Sequence, residues 1–520
     1  MYCTQPIRRS TLVSKDKIAT IDGDRQHTFG ELQERISRFA GALQKLGVDQ
    51  DDRVAVLALN SDRYYECFFA IPWAGAILVP LNIRWSVDEN VYSLNDSGSS
   101  VLIVDDAYLS LAKEIQSKAH ELKHCIYIGD GETPSGMLSY EELVTEANPI
   151  EDAGRGNDDL LGIFYTGGTT GFPKGVMISH GNFYSSALAG LASFDLNQSD
   201  VRYLHSAPMF HMADATLSMA ATIAGHTHVF IPTFQPQAVL NAIKTHRVTD
   251  VALVPTMISM MLEQGAFSGS DVGSLRKIIY GASPMPEGTM RQVLDILPQV
   301  SFYQSYGQTE LAPLITVLGP KYHVFDGQNS GKLRSAGQPL PIVDIKIVDA
   351  EVGTLPTGEV GEVWVKGPNS MRGYWNQPHQ TETALIDGWV RTGDAGYFDE
   401  QGFLFLVDRV KDMIVSGGEN VFSAEVESAL SHHPAVQEVV VIGIPSDRWG
   451  ESVHAVVRLQ PGKSATEDEL IASCRDRIAG YKCPRSIEFR EEPFPMTGAG
   501  KLRKIDIRKP YWEGADRAIN

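Results

Sequence analysis

The sequence predicts an α/β fold: a large N-terminal domain of parallel α/β subdomains, a β-rich stretch behind it, and a small C-terminal α+β domain. Three observations predict this. Short continuous apolar runs alternate with helical patterns as far as residue 304, the signature of parallel strands covered by helices on both faces. From about residue 335 the pattern turns to alternating strands between Gly/Pro turns, and helices become few. The 520 residues also exceed what one hydrophobic core supports, so more than one domain is required.

The elements follow in order. Thr28-Phe-Gly-Glu31 is a capping box, and Leu32, Ile36, Phe39, Leu43 and Leu46 follow at helical spacing until Gly47 stops the helix. The run 53–59 (RVAVLAL) reads as a strand buried on both faces, and a helix over roughly 62–75 with the run 76–80 repeats the unit. Runs at 101–104, 125–128 and 161–165 continue the strands, and a helix is expected over 180–191. Residues 205–211 (HSAPMFH) read as a strand entering a loop. Further strands fall at 250–255, 277–281 and 301–304, each ending in a small or polar cluster where ligands of open parallel sheets gather. The β-rich stretch has strands at 343–348, 361–366 and 402–407. Beyond the charged run 408–412 come a helix near 424–431, a strand at 438–443 and a helix opened by the capping box Thr466-Glu-Asp-Glu469. The domains are thus expected at 1–408 and 409–520.

Composition narrows the function. With 43% hydrophobic and 21% charged residues the chain is ordinary globular material. A formal net charge of −19 argues against nonspecific nucleic-acid binding or adhesion to an anionic membrane. The five cysteines are scattered with no C-x-x-C pair, so thiols in a reducing compartment are expected rather than a disulfide framework or zinc site. No apolar segment follows the basic start, and none approaches a bilayer span, so a cytoplasmic protein is expected.

One stretch carries the chemistry. Tyr165-Thr166-Gly167-Gly168-Thr169-Thr170-Gly171-Phe172-Pro173-Lys174-Gly175-Val176 concentrates glycines, threonines and a lysine after a strand. Such glycines let backbone N–H groups converge on an anion, the hydroxyls add donors, and Lys174 supplies positive charge. It reads as a polyphosphate cradle, but it lacks the Gly-Lys-Ser/Thr of the common P-loop. Four further motifs stand in line: Tyr306-Gly-Gln-Thr-Glu310, Trp389-Val-Arg-Thr-Gly-Asp394, Asp408-Arg-Val-Lys411 and Pro495-Met-Thr-Gly-Ala-Gly-Lys501. A lone exposed lysine or aspartate turn means little; five motifs in this order mean a great deal.

Together they resemble the adenylate-forming superfamily, which holds acyl-CoA synthetases, firefly luciferase and the adenylation domains of peptide synthetases. The resemblance runs over roughly residues 15–510 and is strongest to acyl-CoA synthetases that activate fatty or aryl acids. It implies the acyl-CoA synthetase/luciferase-like fold, ATP, Mg²⁺ and coenzyme A as cofactors, and two steps. A carboxylate attacks the ATP α-phosphorus, giving an acyl-adenylate and pyrophosphate; the CoA thiol then attacks the activated carbonyl, giving acyl-CoA and AMP.

By resemblance, Thr166, Gly167, Gly168, Thr169, Thr170, Gly171 and Lys174 bind phosphate, with Gly167 standing where serine is usual, so one hydroxyl is missing. Gly281, Ala282 and Ser283 border the adenine, Tyr306 stacks on it with Gly307 beside it, Thr309 meets the α-phosphate and Glu310 holds Mg²⁺. Asp394 accepts the ribose hydroxyls with Arg409 alongside, Asp408 to Lys411 form the hinge, and Lys501 stabilises charge at the adenylation step. Met209, Phe210, His211, Tyr280, Gly281, Gly307 and Ala312 line the acid pocket, with His211 near the carboxylate. Ser416, Gly417, Gly418 and Trp449 line the CoA path.

The pocket surroundings, including Met212, Ala213, Pro313 and Leu314, are largely apolar, and Gly281 and Gly307 are expected to leave volume there. No arginine stands ready for a second carboxylate, which favours a medium- or long-chain fatty acid or an aryl acid. Asp214 intrudes among these residues without an evident reason. An acyl-carrier protein is the alternative acceptor, although the insertion usual in fatty acyl-AMP ligases is not evident between Glu310 and Gly367. A second copy of the chain is the remaining candidate partner.

Overall fold

The computed structural model describes the chain except residues 168–172, 266, 268–271, 284, 410–411, 417–418, 447, 476, 497–501 and 514–520, and the side chains at 419 and 420. The expectations at Gly168, Thr169, Thr170, Gly171, Lys411, Gly417, Gly418 and Lys501 therefore lie outside the described residues.

Packing separates two compact units. The first takes Met1–Ile345 with Val365–Val390, the second Lys346–Trp364 with Arg391–Asn520. This differs from the division at 408/409 expected from sequence. The reason is hydrogen bonding: Trp389–Phe398 pairs antiparallel with Leu404–Arg409, and the Asp408 carboxylate accepts from the Ser423 N–H at 2.5 Å and its hydroxyl at 2.6 Å. Those bonds keep residues 391–409 with the C-terminal part.

Among its described residues the first unit holds two large sheets. One is nine-stranded, with its central strands Ile18–Asp22, Thr227–Phe230, Arg202–His205, Asp250–Leu253, Lys277–Gly281 and Ser301–Gly307 all parallel. The other is eight-stranded; Ile77–Pro80, Arg53–Leu57, Val101–Val104 and His124–Tyr127 run parallel, and Leu160–Thr166 pairs antiparallel with Lys174–Ser179. The apolar runs are strands because both faces are covered; Val54, Ala55, Val56 and Leu57 are wholly buried.

The helix Phe29–Lys45 starts at Thr28, whose hydroxyl accepts from the Glu31 N–H while the Glu31 carboxylate accepts from the Thr28 N–H, the capping box read from sequence. The helix Asp62–Trp73 is buried along all 12 residues. Its charged members are tolerated because each is paired: Asp62 with Arg25 at 3.0 Å, Arg63 with Glu141 at 2.8 Å, and Glu66 with Arg35 at 2.7 Å.

In the second unit, strands Val436–Ser446 and Gly450–Leu459 form a long antiparallel pair, and Ser486–Phe489 joins in parallel. The helix Ser423–Ser431 packs on it over Ile414, Val441, Val453 and Leu470. All five cysteines are buried free thiols. No helix among the described residues is long and apolar enough to cross a membrane.

Candidate active site

In the first unit the polyphosphate stretch joins two antiparallel strands. Thr166 ends one and Lys174 opens the next, directly opposite it. The hairpin base is fixed by Asp96, whose carboxylate accepts from the Tyr165 hydroxyl at 2.6 Å and whose carbonyl accepts from the Trp375 indole at 2.9 Å. The strand Gly373–Tyr374 pairs along Lys174–Ser179, with Tyr374 opposite Val176.

This pairing brings a group that the sequence reading missed to the centre. The Tyr374 hydroxyl donates to Glu310 Oε1 at 2.9 Å, and the Lys174 ammonium sits 5.2 Å from the centre of the same ring. Burial, then the Glu310 carboxylate, push the Tyr374 phenol well above its ordinary range, so it stays a donor. One tyrosine thus links the phosphate-loop lysine to the expected metal carboxylate. The only sequence signal was Gly373-Tyr374 following a β-rich run.

Glu310 lies in a short 3₁₀ turn, Thr309–Leu311, at the end of Ser301–Gly307, and its carbonyl accepts from the Met371 N–H at 2.8 Å. Ala312 closes that turn at φ 50°, and Ala282 sits at φ 69° just past Lys277–Gly281. Both are left-handed alanines, conformations held only where surroundings impose them. They fall at the carboxyl ends of adjacent parallel strands, where ligands of such sheets bind. Ser283 follows Ala282 in the same bend, Tyr306 faces Thr316 across the sheet, and Gln308 Nε2 is buried with no partner among the described residues.

The residues present fit a magnesium ion. No group of three or more His, Cys, Asp or Glu is placed to hold a metal ion among the described residues. Mg²⁺ asks only for one or two carboxylates and completes its shell with substrate phosphates and water. Glu310 spends one oxygen on Tyr374, and its other oxygen has no hydrogen-bond partner among the described residues.

Two expectations about the acid pocket need correction. Gly281 and Gly307 leave no volume: a Cβ on Gly281 would stand 2.3 Å from the Ser305 carbonyl oxygen, and one on Gly307 1.6 Å from that of Pro313. They are glycines because neighbouring backbone occupies that space. Tyr280 does not join the other pocket candidates either. Its side chain lies in the core with Ile278 and Phe302, donating to His323 Nε2 at 3.0 Å, whereas Met209, Phe210 and Ala312 belong to the core that includes Ile279. Adjacent strand residues face opposite ways, so Tyr280 and Gly281 cannot serve one pocket wall. His211 precedes the helix Met212–Ala224, with its ring 4.1 Å from that of Phe210.

In the second unit Asp394 and Arg409 are cross-strand neighbours joined at 2.7 Å, the aspartate largely buried and the arginine 43% exposed. The Thr392 hydroxyl accepts from the Asp394 N–H at 3.0 Å and donates to the Val363 carbonyl at 2.7 Å, fixing the turn. Of the residues expected along the CoA path, Ser416 and Trp449 share a neighbour: Arg485 donates to the Ser416 hydroxyl at 3.1 Å and lies 4.5 Å over the Trp449 ring, with Arg448 at 4.7 Å. Arg485 carried no sequence signal. On either side of residues 497–501, Met496 bridges Leu502 and the Arg503 N–H donates to the Pro495 carbonyl at 2.9 Å.

Comparison with known proteins identifies the family. The family model described as AMP-binding enzyme matches residues 7–375, and the AMP-binding enzyme C-terminal domain matches 425–501. A feruloyl-CoA synthase of Amycolatopsis is 39% identical over 97% of this chain and 98% of its own. A fatty acid–[acyl-carrier-protein] ligase of Streptomyces coeruleorubidus is 35% identical over 95% and 93%. The structure of o-succinylbenzoate CoA synthetase from Bacillus subtilis, in complex with its acyl-adenylate intermediate, superposes with a TM-score of 0.83 at 33% identity over 96% of each chain. With family matches across both ends and relatives aligned over nearly its whole length, the chain belongs to the AMP-binding enzyme family as an ATP-dependent, AMP-forming acid–CoA ligase.

Proposed function

We propose that the acid is a medium- or long-chain fatty acid or an aryl acid, and that the residues above divide the two half-reactions between them. The observation that carries the ATP-dependent half-reaction is the shared tyrosine, which spaces one cationic and one anionic group for a polyphosphate and its cation. Adenylate formation asks mainly for positioning and charge neutralisation. Lys174 and the glycine- and threonine-rich stretch neutralise phosphate charge, Glu310 offers its other oxygen to Mg²⁺, and Mg²⁺ when bound offsets charge on the phosphates. Asp394 and Arg409 hold the ribose hydroxyls. Lys501 neutralises charge growing between the carboxylate and the α-phosphate, and Ser416 and Trp449 line the path by which CoA reaches the activated carbonyl.

Met209, Phe210, His211 and Ala312 form the acid pocket. Their apolar character, with feruloyl-CoA synthase among the relatives, supports an aryl or fatty acid. The fatty acid–[acyl-carrier-protein] ligase among the relatives supports a second reading, in which a carrier protein is the acceptor. The chain is read as acting in the cytoplasm, where ATP and CoA are supplied.

The test is ATP-dependent pyrophosphate release across fatty and aryl acids, with and without CoA. Turnover with a subset of acids, only when CoA is present, is expected. A single burst unaffected by CoA would replace CoA with a carrier protein, and no release with any acid would overturn the substrate reading.

A further inference from the structure

Asp214 has no part in the reaction described above, yet it is 1% exposed. In the fold it heads a line of hydrogen bonds through one strand–helix–strand unit. Asp214 accepts from the Tyr203 hydroxyl at 3.1 Å and from His205 Nδ1 at 2.8 Å. His205 Nε2 lies 3.0 Å from His228 Nδ1, and His228 Nε2 lies 3.1 Å from the Tyr65 hydroxyl, itself 2.7 Å from Thr222. Burial drives the His228 ring well below its ordinary pKa, so it is neutral. The Asp214 carboxylate, the two imidazoles and the Tyr65 hydroxyl thus form one continuous buried line of hydrogen bonds.

The pair at its head has a particular place. His205 ends the strand Arg202–His205, and Asp214 lies in the first turn of Met212–Ala224. Their bond closes the intervening segment 206–211, which carries Met209, Phe210 and His211. Within it, Asn60 accepts from the Met209 N–H at 2.8 Å and donates to the Ala207 carbonyl at 2.9 Å, and the Ser206 hydroxyl donates to the Ala252 carbonyl at 2.7 Å. From the same helix, Thr216 donates to the Ala312 carbonyl at 3.1 Å, beside the Glu310 turn.

We propose that Asp214 and His205 form a buried clasp that fixes segment 206–211, and so act as positioning residues that set which acid is accepted. The proposal rests on the reading of that segment as the acid pocket. Deleting the carboxylate frees the helix start from the strand end and strands the His205 N–H. Displacement of the pocket wall by a fraction of an ångström follows, while the ATP groups, held through Tyr374 and Asp96, stay in place.

The test compares Asp214→Ala with Asp214→Asn, which keeps an acceptor for His205. Asp214→Ala is expected to raise KM for the acid about tenfold and reorder the acid panel, with KM for ATP within about twofold, and Asp214→Asn to recover most of the loss. If Asp214→Ala does not fold, His205→Asn takes its place with the same expected outcome. Met209→Ala serves as the check on the pocket itself. A changed acid ranking in Met209→Ala with none in the folded clasp variant overturns the clasp alone; no change in either overturns the pocket reading as well. Equal rises in both KM values, with asparagine no better than alanine, would also overturn the clasp.

Discussion

Glu310 in the first unit and Asp394 in the second are both carboxylates proposed to bind the nucleotide, but they are held by opposite means. Glu310 is held by a neutral phenol on one oxygen. Asp394 is held by a guanidinium at 2.7 Å. A carboxylate with a neutral donor keeps its full negative charge for a cation, whereas one paired with arginine has most of that charge answered and offers lone pairs to hydroxyls. The difference teaches which carboxylate suits a metal and which a sugar, and neither motif alone states it.

Four experiments break or sharpen this comparison. The largest effect is expected at Lys501, outside the pair: Lys501→Ala should lower adenylate formation about 10²- to 10³-fold, as loss of a charge-stabilising group does, while sparing thioester formation from supplied acyl-adenylate. Equal loss of both half-reactions would remove Lys501 from the first step. Next, Tyr374→Phe should cost about tenfold in kcat/KM for ATP and shift the Mg²⁺ requirement upward, since a hydrogen bond to a charged group is worth about 1.5–3 kcal/mol. Magnesium titration of the variant decides it; an unchanged midpoint would separate Glu310 from the cation.

Asp394→Ala should raise KM for ATP a few-fold at unchanged Mg²⁺ midpoint, and a shifted midpoint would erase the distinction between the two carboxylates. The smallest effect is on stability. Burial lowers His180 and His323 from 6.5 to about 4, so the unfolded chain binds their protons first and stability falls as pH drops from about 6.5 toward 4. Asp22, pushed up to about 6 by burial and by Asp62, works the other way and offsets part of this. Melting temperature against pH should therefore decline below 6.5, and His180→Asn should flatten the decline; a flat wild-type profile would refute it.

Much was legible before any coordinates. The capping box at Thr28 and the strands at 53–57, 101–104 and 277–281 follow from local chemistry and periodicity, which neighbouring residues in the chain decide. The order of motifs also carried the family. What the chain could not state was any relation between residues far apart in it. Tyr374 reaches Glu310 across 64 positions through a strand pairing that no local pattern encodes. Gly281 and Gly307 suggested open space, but only the neighbouring strand decides whether a missing Cβ leaves a hole or admits backbone. Asp214 seemed misplaced among apolar residues until the sheet brought His205 and Tyr203 to it. Sequence by itself determined most of the elements and the family, and it named the candidate reacting groups, because those rest on residue type and short spacing. Tertiary structure decided how each carboxylate is held, and hence what it can bind, because that depends on partners that only the packed sheets bring within hydrogen-bonding reach.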